Sequence, residues 1–414
     1  MENYLRAGII CSMNRIFIFL LTLGLHSGLC AASPPGDSYE QTLLDTIREI
    51  QSLDHDQALD STRDLIKQYP HSRLGHMLYA DLLLAKAEPL TEIGSGIEVD
   101  RAIQDFRYEI QQRWQHDSSQ AHQDLYPENI LFLAEDQPYV ILVDQQSSRV
   151  YVYRNNADDL QLETDYFITI GLNGYGKQKR GDQKTPIGVY HVTRYIDGME
   201  LPDLYGEGAF PINYPNTWDL RKQRTGAGIW IHGTPSYTYN RSPWASNGCI
   251  VVSNPDFLQI DKYIEPELHT PVVVAEEVNW ISREQWQAKR QQVMQLLSSW
   301  LIDWESLDHE KYRQHYSRSE LDAYGRDFKS WDGHKRWVNR KKTWVEVEYS
   351  KLNIFNYPGE ENLMLMQFEQ NYRSNNLNLE SPKELYWRKL DTQWQIVYEG
   401  NRSFPVPDSK IVEN

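Results

Sequence analysis

The chain has 414 residues, enough for two or three domains, and carries 58 acidic against 42 basic side chains, for a formal net charge of −16 and a pI near 5.2. That balance argues against nucleic acid and anionic membrane surfaces as partners, because either would need a basic face. No closely spaced cysteine pair and no HExxH stretch points to a metal site, and nothing calls for a cofactor.

In chain order, Arg15 precedes the apolar run Ile16 to Leu21, and small residues follow at Ala31 and Ala32. This is the pattern of a signal peptide, expected over 1–32, and it predicts export. The run of about ten apolar residues is too short to span a bilayer. A retained anchor is the alternative. Leu29 before Cys30 fits poorly with a lipoprotein cleavage site. Cleavage near Ala32 would remove Cys11 and Cys30 and leave Cys249 as the single cysteine of an exported chain. Such a thiol is either buried and structural or used, and the count alone leaves both open.

From 38 to 130 the pattern predicts a helical domain. Leu43, Leu44, Ile47 and Ile50 recur at helical spacing, as do Leu78, Leu82 and Leu83, with a break at Pro70. Near Pro138 the period changes. "YVILVD" and "RVYVYR", parted by "QQSS", predict a hairpin, and "YFITIG", "GVYHVT" and "TPVVVA" extend a mostly β domain over 136–277. After Trp280 a helical stretch places Trp286, Val293, Leu296, Leu297, Trp300, Leu301 and Trp304 at core spacing, and long strands follow. Helices leading into a curved antiparallel sheet resemble the NTF2-like cone, expected over 282–404. That fold serves catalysis and plain binding alike, so it names no function. The fold class expected is a multidomain α+β chain.

The chemistry is concentrated between Gly228 and Asn254. "IWIHG" reads as a strand ending in His232, with the Gly233 carbonyl free to receive the Nδ1 proton and leave Nε2 as a base. "SNGCI" places Gly248 before Cys249 and a strand after it, a turn tight enough to aim successive backbone N–H groups at one point as an oxyanion hole. A thiol of pKa about 8.5 is only ~3% thiolate at pH 7, so full ionisation beside a histidine would gain about thirtyfold. Part of that is lost to lower intrinsic nucleophilicity. One well-placed oxyanion donor is worth about a hundred- to a thousandfold. The turn therefore counts for at least as much as the pairing.

The ordered blocks "GDQKTPIGVY" (Gly181 to Tyr190), "FPINYPNTWD" (Phe210 to Asp219), "GIWIHGTP" (Gly228 to Pro235) and "SNGCIVVSNPD" (Ser246 to Asp256) resemble the YkuD-type L,D-transpeptidases of bacterial cell walls. The resemblance implies Cys249 as nucleophile, His232 as base, Gly233 as its orienting carbonyl, and the N–H groups of Gly248 and Cys249 as oxyanion donors. It further implies that Tyr214 and Trp230 line the acyl-donor side and that Ser246 and Asn247 help bind substrate. Most members carry a histidine where this chain has Asn247, which cannot titrate near pH 7. Chain order separates the pattern from NlpC/P60-type peptidases, whose cysteine precedes the histidine, and from sortases, whose cysteine lies far beyond the histidine and is followed by a catalytic arginine. No G-x-S-x-G supports a serine nucleophile.

A YkuD-type domain followed by an NTF2-like one is similar to the cell-shape L,D-carboxypeptidases of helical Gram-negative bacteria. The resemblance implies a periplasmic acyl-transfer enzyme acting on peptidoglycan stem peptides of the meso-diaminopimelate type, at the diaminopimelate–D-Ala bond. Hydrolysis and 3-3 crosslinking both stay open. The rival reading from another class is a non-catalytic peptidoglycan-binding scaffold that uses the helical and NTF2-like segments.

Overall fold

The computed structural model describes residues 39–52, 54–86, 101–116, 124–156, 159–239 and 241–404. The expected signal peptide, with Cys11 and Cys30, lies outside the described residues. None of the described helices is long and apolar enough to cross a membrane.

Four helices come first: α1 (Tyr39–Gln51), α2 (His55–Gln68), α3 (Arg73–Ala85) and α4 (Arg101–Gln115). Pro70 cannot supply a helical N–H, and the chain restarts at Ser72, whose hydroxyl accepts from Gly75 N at 3.0 Å as the cap of α3. Leu43, Ile47, Leu65, Leu74 and Leu78 close a small core at helical spacing. Buried ion pairs tie these helices to each other and to the β region: Arg149 reaches Glu40 of α1 at 2.6 Å, and Glu40 also meets Arg113 of α4.

Leu125–Pro127 (β1) and Ile130–Phe132 (β2) are strands. This corrects the sequence reading of 38–130 as helical to its end. These short apolar runs carry no period of their own, and partners supplied from beyond Trp280 decide their conformation.

The middle segment supplies β3 (Tyr139–Asp144), β4 (Arg149–Asn155), β5 (Leu160–Phe167), β6 (Ile170–Gly171), β7 (Gly188–His191), β8 (Ile196–Asp197), β9 (Gly208–Pro211), α5 (Thr217–Arg221), β10 (Trp230–His232), β11 (Trp244–Ser246), β12 (Ile250–Val251), α6 (Asn254–Ile260) and β13 (Pro271–Ala275). One sheet runs β5-β4-β3-β13-β7, and a second runs β12-β10-β9-β8. Between them lies a core of Ile141, Val143, Val150, Phe210, Ile231, Ile250 and Val272. Alternate residues of the same strands, Val140, Leu142, Tyr151 and Val273, belong to a different core on the opposite face. Burial on both faces explains why "YVILVD" is a continuous apolar run rather than an alternating one.

That second core is shared with the C-terminal part: β14 (Trp280–Ser282), α7 (Arg283–Glu305), α8 (His309–Arg313), β15 (Asp322–Ala323), α9 (Phe328–Asn339), β16 (Val345–Asn356), β17 (Leu363–Ser374), β18 (Leu377–Leu390) and β19 (Gln393–Asn401). Ser282 and Gln285 form a capping box that starts α7. The sheet order is β15-β19-β18-β17-β16-β2, so a strand preceding the middle segment completes the C-terminal sheet. Trp286 Nε1 donates to Ile130 O at 2.8 Å and locks that strand to α7.

Candidate active site

Cys249 and His232 are brought together by two neighbouring parallel strands. Ile231 pairs with Ile250 and His232 with Val251, so Cys249 falls beside Trp230 when that register is extended by one. Trp230 and His232 lie two residues apart on one strand and share a face. The sulfur and the imidazole are therefore diagonal neighbours on the same side of the sheet.

The carbonyl of Gly233 can only accept, so His232 Nδ1–H donates to it across 2.6 Å, and Nε2 carries the lone pair. Tyr205 stands edge-on to the imidazole, with ring centroids 5.0 Å apart, and also packs on Trp230 at 4.8 Å. Burial holds His232 down at about 4; its bond to Gly233 opposes the shift in part, and Arg241 adds to it. A Cβ at Gly233 would lie 2.2 Å from Asn254 Oδ1, the oxygen that accepts from Thr234 N at 3.0 Å. Only glycine fits this turn.

Cys249 is part-buried and lines a cleft of about 810 Å³ with Tyr205, Gln183, Arg180, Gly228 and Asn247. Its Sγ–H donates to Gly228 O at 3.5 Å. Burial pushes the thiol up to about 11, with the Trp230 N–H, Arg241 and Lys177 taking back only part of the shift. The resting pair is thus a neutral thiol and a neutral imidazole, not the ionised pair weighed from sequence. Transition-state stabilisation must then supply more of the rate.

The turn before the sulfur is tightly specified. Gly248 has φ of 118°, and a Cβ there would stand 2.7 Å from Lys184 O. Ser246 Oγ accepts from Gly248 N at 3.1 Å and donates to Cys249 O at 2.7 Å. Two expectations need correction here. Gly248 N–H is spent inside the turn rather than aimed at the cleft, and Ser246 is buried as the turn's clasp rather than placed to bind substrate. Asn247 is exposed on the cleft wall, its Oδ1 accepting from Gln183 Nε2 at 3.0 Å.

Tyr214 and Trp230 also depart from expectation. Tyr214 is 2% exposed in the intersheet core, with its hydroxyl donating to Thr225 O at 3.2 Å. Trp230 is 8% exposed beneath Tyr205 and meets the sulfur through its backbone N–H. The aromatic residue that faces the cleft is Tyr205, which a lone "LYG" in an irregular stretch did not single out.

Sequence reasoning also missed the segment that forms the opposite wall. Lys177 is buried against Asp182 at 2.7 Å, and Asp182 accepts from Gln178 N at 2.8 Å and Lys179 N at 3.0 Å. Burial would push that carboxyl up, but Lys177 and these N–H groups outweigh it and hold it at about 2. Thr185 Oγ1, fully buried, accepts from Gly171 N at 2.9 Å and donates to Gly248 O at 3.0 Å. Asp182 and Thr185 lie inside "GDQKTPIGVY", so the motif was visible; Asp182 ties down its own loop, while the role of Thr185 depends on Gly248, more than sixty residues away. Among the described residues no cluster of His, Cys, Asp and Glu could hold a metal ion.

The L,D-transpeptidase catalytic domain, YkuD, matches residues 138–274, and the Cds6 C-terminal NTF2-like domain matches 292–400. Among solved structures, Bd1075 of Bdellovibrio bacteriovorus is 31% identical, covers 68% of this chain and 99% of its own, and superposes with a TM-score of 0.60. The chain belongs to the YkuD-type L,D-transpeptidase family. Two structures of the helical cell shape determining protein Pgp2 from Campylobacter jejuni also resemble this YkuD-type chain. One is 24% identical, covering 66% of this chain and 95% of that one at a TM-score of 0.55. The other, a mutant, is 22% identical, covering 73% and 100% at 0.57. At these identities the likeness to Pgp2 is one of fold. A comparison with curated protein sequences found no match.

Proposed function

We propose that this YkuD-type protein is a periplasmic cysteine acyl-transfer enzyme that cuts the bond between the L-centre of meso-diaminopimelate and D-Ala in peptidoglycan stem peptides. The observation that carries the reading is an accessible thiol at the floor of a cleft, on the same sheet face as an imidazole whose free nitrogen is a base. A buried structural thiol or a pure scaffold would need neither the cleft nor the fixed tautomer. As Cys249 Sγ attacks the carbonyl carbon, His232 Nε2 takes the thiol proton and passes it to the departing D-Ala nitrogen. Because Gly248 N–H is held by Ser246, the Cys249 N–H is the turn's oxyanion donor. The thioester that remains is resolved by water, giving a tripeptide, or by the side-chain amine of a second stem, giving a 3-3 crosslink.

Arg180, exposed at the cleft, is the positive group there, Lys177 being matched by Asp182, and it suits a carboxylate of a stem peptide within an otherwise acidic chain. Pgp2 is described as a cell-shape determinant, and its shared fold supports a role in trimming the wall for shape. Incubating the protein with tetrapeptide muropeptide, with and without an acceptor stem, tests the reaction by mass spectrometry. Release of D-Ala with tripeptide or dimer supports it, and intact tetrapeptide in both tubes refutes it.

A further inference from the structure

A second cavity, of about 820 Å³, lies between α4 and the middle sheet and is not used by the chemistry above. Its volume is that of a small-ligand site, for which roughly 300–1,000 Å³ is usual. Tyr108 of α4 and Trp244 of β11 form its aromatic wall, with ring centroids 4.5 Å apart. Amide and carboxylate groups, among them Gln112, Gln146 and Glu277, face the same space. No lysine or arginine is among its described lining residues, and His116 on its edge is engaged with Asp165 at 2.7 Å. Aromatic faces beside uncharged or acidic hydrogen-bonding groups suit a neutral polyhydroxylated ligand and oppose an anionic one.

The two cavities are joined by chain. Tyr175 lines the second cavity, while Lys177, Arg180 and Gln183, a few residues on, line the catalytic cleft. Trp244 lines the second, while Asn247 and Cys249 line the cleft. Trp244 and Cys249 are five positions apart, at most about 18 Å. A stem peptide from its sugar to the bond after diaminopimelate is roughly four chain units, about 14 Å when extended.

We propose that this cavity binds the amino-sugar glycan of peptidoglycan, holding the strand from which the stem peptide enters the catalytic cleft. The inference rests on the peptidoglycan reading above and adds to it the sugar subsite and its residues. The probe is chitotetraose, titrated calorimetrically into full-length Cys249→Ala protein, in which no turnover occurs. Saturable binding is expected, weakened about tenfold or more by adding Tyr108→Ala and retained in Tyr108→Phe, which keeps the ring. Tyr108 is 39% exposed on its helix, and thermal unfolding of Tyr108→Ala checks that the fold survives its truncation. In the otherwise wild-type enzyme, Tyr108→Ala should raise KM for the disaccharide-tetrapeptide at unchanged kcat, with free tetrapeptide unaffected. Absent chitotetraose binding, binding indifferent to Tyr108→Ala, or equal effects on both substrates would overturn the sugar site. Tyr108-dependent chitotetraose binding by a protein that cleaves neither substrate would sink the catalytic reading and leave the sugar site standing.

Discussion

The Thr185 hydroxyl donates to the carbonyl of Gly248, and a trans peptide points its C=O and N–H in opposite directions. Holding that oxygen therefore aims the Cys249 N–H. Thr185→Val keeps the shape and removes the donor, so kcat should fall about ten- to a hundredfold with KM nearly unchanged, while Thr185→Ser should keep most of the activity. A loss shared equally by the valine and serine variants would mean that only packing matters. Gly248→Ala should be worse, because φ of 118° and the contact with Lys184 O leave no room for a Cβ.

The protonation states of the catalytic pair give a second test at this scale. With burial holding the thiol at about 11, iodoacetamide labelling of Cys249 should climb about tenfold per pH unit from pH 7 to 10. A rate already flat at pH 6–7 would instead reveal a thiolate–imidazolium pair. His232 has its folded pKa lowered to about 4 and His191 to about 3, in both cases chiefly through burial. A group that binds its proton more weakly when folded favours unfolding once pH drops below its unfolded value, near 6.5. These two histidines should therefore make stability fall as pH goes from about 6.5 to 4. Urea midpoints over that range should lose part of this slope in His191→Asn.

The connection from Thr234 to Asn247 joins base to nucleophile, and it is held from outside the catalytic sheet. Tyr239 stacks on Tyr39 at 5.3 Å and meets Tyr69 edge-on at 5.2 Å, while Arg73 lies over Tyr237. Further along, Arg241 is half-buried near both catalytic groups and donates to Ala245 O. The N-terminal helices thus brace this loop. Tyr239→Ala should lower kcat about tenfold while global unfolding stays cooperative, and unchanged kcat would show the loop holds itself. The strand ends at His232 and Ile250 were legible because "IWIHG" and "CIVV" are short apolar runs beside glycine. The bracing was not, since Tyr239 and Tyr39 lie two hundred residues apart and neither belongs to a recognisable motif. The same holds for Tyr214, whose motif position suggested the cleft while its neighbours Tyr190 and Ile212 draw it into the core.

Across the whole molecule, the middle sheet buries both faces, and its outer face shares one core with Trp286, Trp300 and Trp387. The helical start, β middle and NTF2-like end were readable from changes in hydrophobic period. Their interlocking was not, because β2 is three residues long and takes its identity from β16. Residues 136–277 expressed alone should aggregate, having exposed Val140, Leu142 and Val273, whereas 124–404 should be soluble and cooperative in thermal unfolding. Soluble, folded 136–277 would show the shared core to be dispensable.

Acylation of Cys249 by a stem peptide is the step on which the proposed reaction depends. Acid-quenched intact-mass spectrometry after brief exposure to tetrapeptide stem, or to a carbapenem as a slowly released acyl donor, reads this directly. One acyl adduct is expected on wild-type protein and none on Cys249→Ala. An unmodified wild-type chain, or an adduct that survives the substitution, would contradict it.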